Sequence, residues 1–482
     1  MDDRWQHRLS ELPNQFILTR DSKAPFETWV SQPIGSFILH THPNTRVRRF
    51  ASGDDEALVI GVILARDGEQ VTPENCPPGQ FVTITSASVF SDASSLMPAF
   101  FDRSARRVAS SLRLLAGPGE KPVRPELLHG SRPDWYWGPR TTFPRIDYLL
   151  PSQTLDLGSF EPKFRQLPSP SPLPAVDAAQ RLESLLCDGF GYLAENRRRI
   201  LLAMTGGIDS RTLFAAALKS GVEFETYTMV SPHVHVKDVQ VAKEISERFG
   251  ITHSVLQMGK LNSDELDWYL WFSAGLSVTL DTDFHAAGLW QRFGPDVVFV
   301  RGLGFTLGRD KYRDFLTDDD VSLFRVDPEA MWKRFTRPWV RRAHVYNRQA
   351  FESYADWFTA TLDRSEMDFR DRLFLEQGMG SWDASAEHGI AATGTDRVSI
   401  ANSTAVFELL LQARPGSKKS GPLQRDLIRA IEPSLLDYPF IKPTKVERLR
   451  YRALDTLRAL RLRRRLRRLL DDQNENASGN RG

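Results

Sequence analysis

Few cysteines and no long apolar run are the first features of this sequence. Only Cys76 and Cys187 occur among 482 residues, and no cysteine pair has metal-ligand spacing. Neither a disulfide framework nor a zinc site is supported, so we expect both thiols to be free. The longest apolar stretch, residues 57–65, is far shorter than the about 20 residues that a membrane helix needs. Because the sequence also begins without a signal peptide, we predict a cytoplasmic protein with no transmembrane segment.

Neither sign of charge dominates, since 63 basic and 61 acidic residues leave a formal net charge of +2. The basic residues are concentrated at 445–470, where ten arginines and one lysine stand against two acidic residues. Apolar residues recur there at helical spacing, which predicts a basic amphipathic helix at 445–470, followed by a disordered tail at 471–482. We favour docking of this helix on the protein or on an anionic surface over nucleic acid binding.

A glycine pair stands between an apolar run and a helix-like segment in the middle of the chain. Residues 204–211 read Met-Thr-Gly-Gly-Ile-Asp-Ser-Arg. The glycines let the backbone turn tightly and approach an anion, while the start of the helix supplies unpaired amide donors and a positive dipole end. Thr205 and Ser210 add hydroxyl groups, and Asp209 can hold a magnesium ion against phosphates. An ordinary helix cap made by the same residues is the alternative.

Two patterns of secondary structure divide the chain. Short β-branched and apolar runs between residues 25 and 160 predict a strand-rich first domain, with strands at 57–64 and 80–85. The proline-rich segment 167–174 cannot continue a sheet or a helix, so we place a domain boundary there. Strands then alternate with amphipathic helices, which predicts a parallel sheet, and from about residue 341 the pattern is mostly helical. We expect strands at 200–204, 224–229 and 252–256 and helices at 177–196 and 236–249.

The glycine pair resembles a known phosphate-binding motif. No lysine follows the glycines, so the pattern of the P-loop nucleotidases is not met. The segment is instead similar to the PP-loop of the N-type ATP pyrophosphatases, usually Ser-Gly-Gly-x-Asp-Ser, with Thr205 in the first position. Ligands of parallel sheets bind at the carboxyl ends of the strands, where this loop is predicted to lie.

Other segments resemble the asparagine synthetase-like proteins, in the same order along the chain. In the second half these are Asp238 with its following helix and strand, the strand and second glycine-rich loop at 298–304, segment 425–433, and Lys442 with Pro443. In the first half, segments 79–84, 91–93, 108–111 and 142–157 are similar to the glutaminase domain that this family carries.

This resemblance implies a two-domain fold. It predicts an α/β C-terminal domain with a parallel sheet, of the PP-loop, adenine nucleotide alpha-hydrolase type. It also predicts an N-terminal α+β domain built as an Ntn-like, β-rich sandwich. The implied boundaries are a degenerate glutaminase-like domain at 1–166, the proline-rich linker at 167–176 and the ATP pyrophosphatase domain at 177–444.

The resemblance also implies an ATP-dependent, AMP-forming amide ligase. A small-molecule or peptide carboxylate attacks the α-phosphorus of ATP, and pyrophosphate leaves into the glycine loop. Ammonia or a substrate amine then displaces AMP to form the amide. The implied cofactors are ATP and Mg²⁺, and a homodimer is the candidate assembly.

Residue roles follow from the same resemblance. Catalytic roles are implied for Asp209, which is also the implied magnesium ligand, and for the cations Arg425 and Lys442. The residues implied to bind ATP are Met204, Thr205, Gly206, Gly207, Asp209, Ser210, Met229, Arg301, Gly302 and Gly304.

Several of these residues have ordinary structural alternatives. Met204 and Met229 are equally compatible with core positions at the ends of strands, and an exposed surface lysine is the favoured alternative for Lys442. The arginines near the second loop can instead form ion pairs with Asp310 or Asp314; they are Arg301, Arg309 and Arg313.

Two departures from the family pattern affect the expected activity. A class II glutaminase uses an amino-terminal cysteine as its nucleophile, whereas this sequence starts Met-Asp-Asp, so we expect no glutamine hydrolysis. The family has acidic residues after the second glycine loop, one of which binds magnesium, but Thr306 stands here. Asp281, Asp283 or Asp310 would have to approach the metal instead.

Two alternative functions therefore stay open. The first is a catalytically retired, nucleotide-binding homologue, because the glutaminase cysteine and the second-loop acid are both missing. The second is a PP-loop RNA-modifying enzyme that grips RNA with its arginine-rich helix.

Overall fold

Strand direction separates the two halves of the molecule. The computed structural model of the chain describes residues 2–117, 120–123, 136–196, 198–230, 236–257, 261–276, 289, 296–313, 315–336, 345–413 and 418–441, with 446, 447, 449 and 453. Among these residues, the strands up to residue 164 pair antiparallel. The strands after residue 198 pair parallel.

The described part of the first half contains two helices and twelve strands. The helices are α1 (Asp2–Ser10) and α2 (Leu112–Leu115). The strands are β1 (Phe16–Thr19), β2 (Val30–Ile34), β3 (Phe37–Thr41), β4 (Val47–Ser52), β5 (Asp55–Ile63), β6 (Gly79–Ile84), β7 (Ser88–Ser91), β8 (Phe100–Asp102), β9 (Arg107–Ala109), β10 (Ile146–Tyr148), β11 (Gln153–Asp156) and β12 (Glu161–Phe164). They form two six-stranded sheets, ordered β10-β8-β9-β1-β3-β2 and β12-β11-β7-β6-β5-β4.

These two sheets pack face to face, and β5 shows how the sequence specifies that packing. Side chains alternate between the two faces of a strand. Leu58 and Ile60 lie in the apolar core between the sheets, whereas Val59 and Ile63 lie in the cluster shared with the second half. The predicted β-rich sandwich is present, and its relation to Ntn-like domains stays a prediction.

The second half contains a five-stranded parallel sheet, which confirms the predicted α/β architecture. Its strands are β13 (Arg199–Ala203), β14 (Glu225–Val230), β15 (His253–Gln257), β16 (Val297–Val300) and β17 (Asp396–Val398), in the order β15-β14-β13-β16-β17. The sequence predicted the first three strands to within one residue. It did not predict β17, because three residues inside a mostly helical region are too few to show a period of two.

The second half also contains eleven α-helices among the described residues. They are α3 (Ala175–Glu195), α4 (Ile208–Ser220), α5 (Val236–Arg248), α6 (Ser263–Ser273), α7 (Asp318–Val326), α8 (Pro328–Phe335), α9 (Val345–Ala360), α10 (Phe369–Leu373), α11 (Ala384–Ala391), α12 (Thr404–Leu411) and α13 (Pro422–Ile431). A π-helix, Phe374–Asp383, joins α10 to α11, and 3₁₀ helices occur at Leu303–Arg309, Leu362–Arg364, Lys418–Ser420 and Pro433–Leu436. In α3, Leu182, Leu186 and Phe190 recur at helical spacing and are buried in the shared cluster.

The order of the parallel strands reverses at β13. From β13 the chain proceeds to β14 and β15 on one side, and it returns to β16 and β17 on the other. Ligands of open parallel sheets bind at such a reversal, outside the carboxyl ends of the strands. The glycine loop after β13 and the second glycine loop after β16 therefore lie at the expected ligand-binding edge.

A buried polar junction joins the two halves. Asn402, just after β17, donates from Nδ2 to the carbonyl oxygen of Gly79 at 2.7 Å and to Asp92 Oδ1 at 2.8 Å. Ser94 Oγ donates to Asn402 Oδ1 at 2.7 Å, so the amide of this one residue satisfies several sandwich groups. Residues 165–174 connect β12 to α3 without regular secondary structure. The exact domain boundaries stay predictions.

No helix in the described ranges is both long and apolar enough to cross a membrane. Four residues of the predicted basic helix at 445–470 are described, and all four are helical: Val446, Glu447, Leu449 and Ala453. The rest of that segment and the predicted tail at 471–482 lie outside the described residues.

Candidate active site

The first turn of α4 is open at the carboxyl end of β13. The helix begins at Ile208 with Gly207 as its N-cap, and no side chain caps it. By contrast, Asn262 and Thr317 accept amide hydrogens at the starts of α6 and α7. The first amides of α4 are therefore left for an external acceptor, and the helix dipole favours an anion there.

Two hydroxyl groups determine the shape of this first loop. Thr205 Oγ1 and Ser210 Oγ lie 3.0 Å apart. The amide of Thr205 donates to Ser210 Oγ at 3.2 Å, and the amide of Gly207 donates to Thr205 Oγ1 at 3.1 Å. The two hydroxyls that the sequence assigned to phosphate thus also hold the two ends of the loop together.

Gly206 is required by the close approach of a carboxylate. Its amide donates to Asp238 Oδ1 at 3.1 Å, and a side-chain carbon on Gly206 would lie 2.7 Å from that oxygen. The same carbon would lie 3.3 Å from Ile441 Cγ1. The first loop is therefore in contact with the start of α5 and with the segment after α13.

Arg211 holds the first loop from beneath, a role that sequence reasoning missed. Its guanidinium donates to the carbonyl oxygen of Gly206 at 2.9 Å and to that of Pro439 at 2.7 Å. It also donates to the carbonyl oxygens of Leu435 and Tyr438, at 3.1 and 2.8 Å. Burial lowers the pKa of Arg211 to about 10, which leaves it charged at neutral pH. The sequence signal for this role was Arg211 itself, the last residue of the motif at 204–211.

The second glycine-rich loop meets the first at Asp209. A side-chain carbon on Gly302 would lie 3.3 Å from Asp209 Cβ, so this glycine allows the two loops to touch. Gly304 has a different role, because a side-chain carbon there would lie 2.3 Å from the carbonyl oxygen of Ala401. Of the two glycines assigned to ATP, Gly302 faces the first loop and Gly304 packs against protein backbone.

A guanidinium group pairs with the carboxylate that the sequence assigned to magnesium. Arg309 Nη1 donates to Asp209 Oδ1 at 2.9 Å, and each side chain is roughly 30% exposed. Burial raises the pKa of Asp209, and Arg309 opposes that rise. Thr306, where a second acid was expected, brings no charge.

The described side chains form no cluster that would hold a magnesium ion through protein ligands alone. Magnesium prefers carboxylate oxygens and water in near-octahedral geometry. In the described ranges, no three histidine, cysteine, aspartate or glutamate residues lie close enough together to hold a metal ion. Asp310 pairs with Arg313 at 2.7 Å, which is the structural ion pair considered from the sequence. Asp281, Asp283 and Asp314 lie outside the described residues.

A buried charged cluster lies at the carboxyl ends of β16 and β17. Arg301 Nη1 donates to Glu387 Oε1 at 2.7 Å, and Arg397 Nη1 lies 2.9 Å from Glu387 Oε2. Burial raises the pKa of Asp383 to about 7, with Arg301 opposing the rise. Arg301, which the sequence assigned to ATP, thus has a structural ion pair. The acids at 383 and 387 went unnoticed, although their i, i+4 spacing was a usable signal.

The two methionines assigned to adenine are core residues. Met204 donates its amide to the carbonyl oxygen of Tyr227 at 2.8 Å and accepts from Thr228 Oγ1 at 2.6 Å, so its backbone is bonded within the sheet. Met229 lies in an apolar cluster with Leu256. Both observations agree with the alternative of core positions at strand ends.

Of the two cations with implied catalytic roles, Arg425 is among the described residues. Arg425 Nε donates to the carbonyl oxygen of Ser420 at 2.8 Å, and its guanidinium lies 4.5 Å from the ring centroid of Phe440. Arg211 stacks on the same ring at 4.3 Å, so Arg425 lies beside the clamp beneath the first loop. Lys442 lies outside the described residues.

Comparison with known proteins finds short similarities. No protein-family model matches the chain. The 7-cyano-7-deazaguanine synthase of Bacillus subtilis (strain 168) is 36% identical over 66 residues, which are 14% of this chain and 30% of that protein. The 7-cyano-7-deazaguanine synthase of Psychromonas ingrahamii is 28% identical over 65 residues, which are 14% of this chain and 29% of that protein. The chain thus spans under a third of the length of these curated relatives.

The matched segments are too small a part of either relative to show a family for this chain. They do not reach the asparagine synthetase-like family specifically. Among solved structures, NMN synthetase from Francisella tularensis is similar at 15% identity with a TM-score of 0.22, over 43% of this chain and 94% of that chain. A TM-score at that level carries no argument.

Proposed function

We propose that this protein is an ATP-dependent, AMP-forming amide ligase of the asparagine synthetase type. The observation that carries the proposal is the open start of α4 behind the glycine pair, at the strand-order reversal of the parallel sheet. The local similarity to PP-loop synthases supports ATP as the substrate that this edge receives. The carboxylate and amine substrates are small molecules or peptides.

The first loop receives the leaving diphosphate of ATP. The open amides of α4 and its dipole stabilise negative charge that develops when the α–β bond breaks, and such preorganised donors are the main source of catalysis in phosphoryl chemistry. Gly206 and Gly207 allow the anion to approach the backbone. Arg425 adds positive charge from beneath the loop. Lys442 is proposed as a further cation, because Ile441, the preceding residue, adjoins Gly206.

Asp383 is the carboxylate that we propose as the base for the attacking amine. Its pKa, raised to about 7 by burial, makes it a stronger base than an ordinary carboxylate while leaving it half ionised at neutral pH. Lys311 acts electrostatically on both Asp383 and Asp209, so the two carboxylates lie within range of the same cation.

The sandwich is proposed to be a degenerate Ntn-like domain that does not hydrolyse glutamine. Cys76 is its one described thiol, and the sulfur is buried and contacts Arg165 Nη2 at 2.9 Å. Burial raises the pKa of Cys76 to about 11, so the reactive thiolate is not formed at neutral pH. The amine of the ligase reaction is therefore free ammonia or an amine of the substrate.

The test is product analysis with ATP, magnesium and a panel of carboxylic acids, each with ammonia or a candidate amine. We expect AMP and pyrophosphate in equal amounts, together with an amide detected by mass spectrometry. Gly207→Glu places a negative charge at the open turn and abolishes turnover, whereas Lys333→Ala, which alters an exposed ion pair with Glu329, retains it. ADP as the product, or turnover only with transfer RNA, contradicts the proposal.

A nucleotide-binding protein without turnover is the second candidate. The observation that favours it is the Asp209–Arg309 pair, which engages the expected metal ligand. In that case ATP binds, but no acid and amine pair yields AMP. Light scattering of the purified chain tests the homodimer that we keep as the candidate assembly.

A further inference from the structure

The second loop places a positively charged side chain in contact with the first loop. The 3₁₀ helix Leu303–Arg309 ends with Arg309, whose Nη1 donates to Asp209 Oδ1 at 2.9 Å. Asp209 lies in the first turn of α4, beside the open amides. The guanidinium group of Arg309 therefore lies beside the position at the start of α4 that a diphosphate anion would occupy if the proposed function holds.

The 3₁₀ helix holds this arginine rigidly. Gly304 lies against the backbone of Ala401, and a side-chain carbon on Gly308 would lie 2.9 Å from Leu410 Cδ2. Phe305 and Leu307, between these glycines, are fully buried. A tightly packed support of this kind fixes the guanidinium in position before any ligand arrives, which is what preorganised charge stabilisation requires.

Arg309 also has donor capacity to spare. A guanidinium carries five N–H groups, and its planar fork suits bidentate contact with phosphate. Of these groups, Nη1 is used on Asp209, and Nε is buried without a hydrogen-bond partner in the described part of the chain. A buried donor left in this way costs free energy unless a ligand satisfies it.

We propose that Arg309 binds the leaving diphosphate and supplies the positive charge that a metal ion held by a second-loop carboxylate would otherwise provide, so that diphosphate binding here needs no divalent cation. The inference rests on the proposed function, because it concerns the same leaving group. Lys311, which acts electrostatically on Asp209, adds a second positive charge.

Titration calorimetry with inorganic pyrophosphate tests this proposal without any turnover. We expect the full chain to bind pyrophosphate in EDTA about as tightly as in magnesium. Arg309→Ala should weaken binding in EDTA about 10- to 100-fold, because charged hydrogen bonds are lost. Arg309→Lys should fall between the two, because it keeps a point charge but loses the fork.

Arg313→Ala is the matched control, because Arg313 lies on the same segment but pairs with Asp310. It should leave pyrophosphate affinity unchanged, and thermal unfolding of each variant establishes that it is folded. Binding by the unmodified chain only in magnesium, or equal binding by Arg309→Ala, overturns the role of Arg309 while the proposed function stands. Absence of pyrophosphate binding under both conditions instead defeats the proposed function itself.

Discussion

The two glycine-rich loops follow neighbouring parallel strands at the same sheet edge, yet their glycines make room for different groups. Gly206 in the first loop makes room for the carboxylate of Asp238. After β13, the glycine pair leads into a helix start that no side chain caps. After β16, the space beside Gly304 is occupied by Ala401 and the space beside Gly308 by Leu410, so the absence of a side chain at these glycines makes room for other parts of the protein. A glycine-rich motif in a sequence therefore indicates only that free space is needed beside the backbone at those positions. What occupies that space is decided by the fold.

Gly304→Ala should have the largest effect on stability. The added methyl group would lie 2.3 Å from the carbonyl oxygen of Ala401, which is backbone and cannot turn aside. We expect a loss of about 3 kcal/mol in the free energy of unfolding, as for severe overpacking. Urea denaturation followed by circular dichroism measures it.

The control for Gly304→Ala is Gly191→Ala in α3, where nothing lies within 4 Å of the added carbon. Alanine is the better helix former, so this variant should be unchanged or slightly more stable. Equal stability of the two variants would show that the second loop is not a packed support.

Arg211→Met should have the next largest effect, because it removes the clamp beneath the first loop. Four carbonyl oxygens lose a charged donor, including that of Gly206. We expect a loss of about 2 kcal/mol, since unpaired buried polar groups are costly. The exposed control Arg429→Met, which pairs with Asp426 on the helix surface, should change stability by less than about 0.5 kcal/mol. Equal losses in both variants would refute the clamp.

Gly206→Ala should separate binding from stability. The added carbon displaces the Asp238 carboxylate, a flexible group, rather than backbone. We therefore expect pyrophosphate affinity to fall about tenfold, or about 1.4 kcal/mol, with a smaller change in unfolding free energy. Calorimetry and urea denaturation of the same preparation compare the two quantities. A large loss of stability with unchanged pyrophosphate affinity would show that Gly206, like Gly304, serves only to make room for packing.

Asp383→Asn should have an effect on stability that changes with pH. Because burial raises the pKa of Asp383 to about 7, the folded chain keeps a proton that the unfolded chain releases near pH 4. The stability contributed by Asp383 is thus present at low pH and lost as pH rises to 7. Relative to the parent chain, the variant should be more stable at pH 8 than at pH 4, by at most about 4 kcal/mol for a pKa difference of about 3 units, measured by urea denaturation at both pH values. A pH-independent difference would mean that Asp383 titrates normally.

Contiguous features could be predicted from the sequence. The strand at 200–204, the glycine pair and the following helix are adjacent in the chain, so local propensities and turn chemistry agree with the fold. The observed strand, Arg199–Ala203, and the start of α4 at Ile208 match that prediction closely. Hydrophobic periodicity also predicted α3 and α5 to within about two residues.

Contacts between distant segments could not be predicted in this way. Asp209 and Arg309 are 100 positions apart, and Arg301 and Glu387 are 86 positions apart. Pattern reasoning sees neighbours at three or four residues, so it gave Asp209 to a metal without the arginine that pairs with it. The π-helix Phe374–Asp383 has no sequence signature of its own, although such segments often occur at functional sites.

A crystal structure of the chain with pyrophosphate tests the central claim most directly. We predict the anion within about 3 Å of the amide nitrogens at the start of α4, between the glycine pair and the Arg309 guanidinium. Density for the anion at any other place, with the α4 amides covered by protein, would contradict the account.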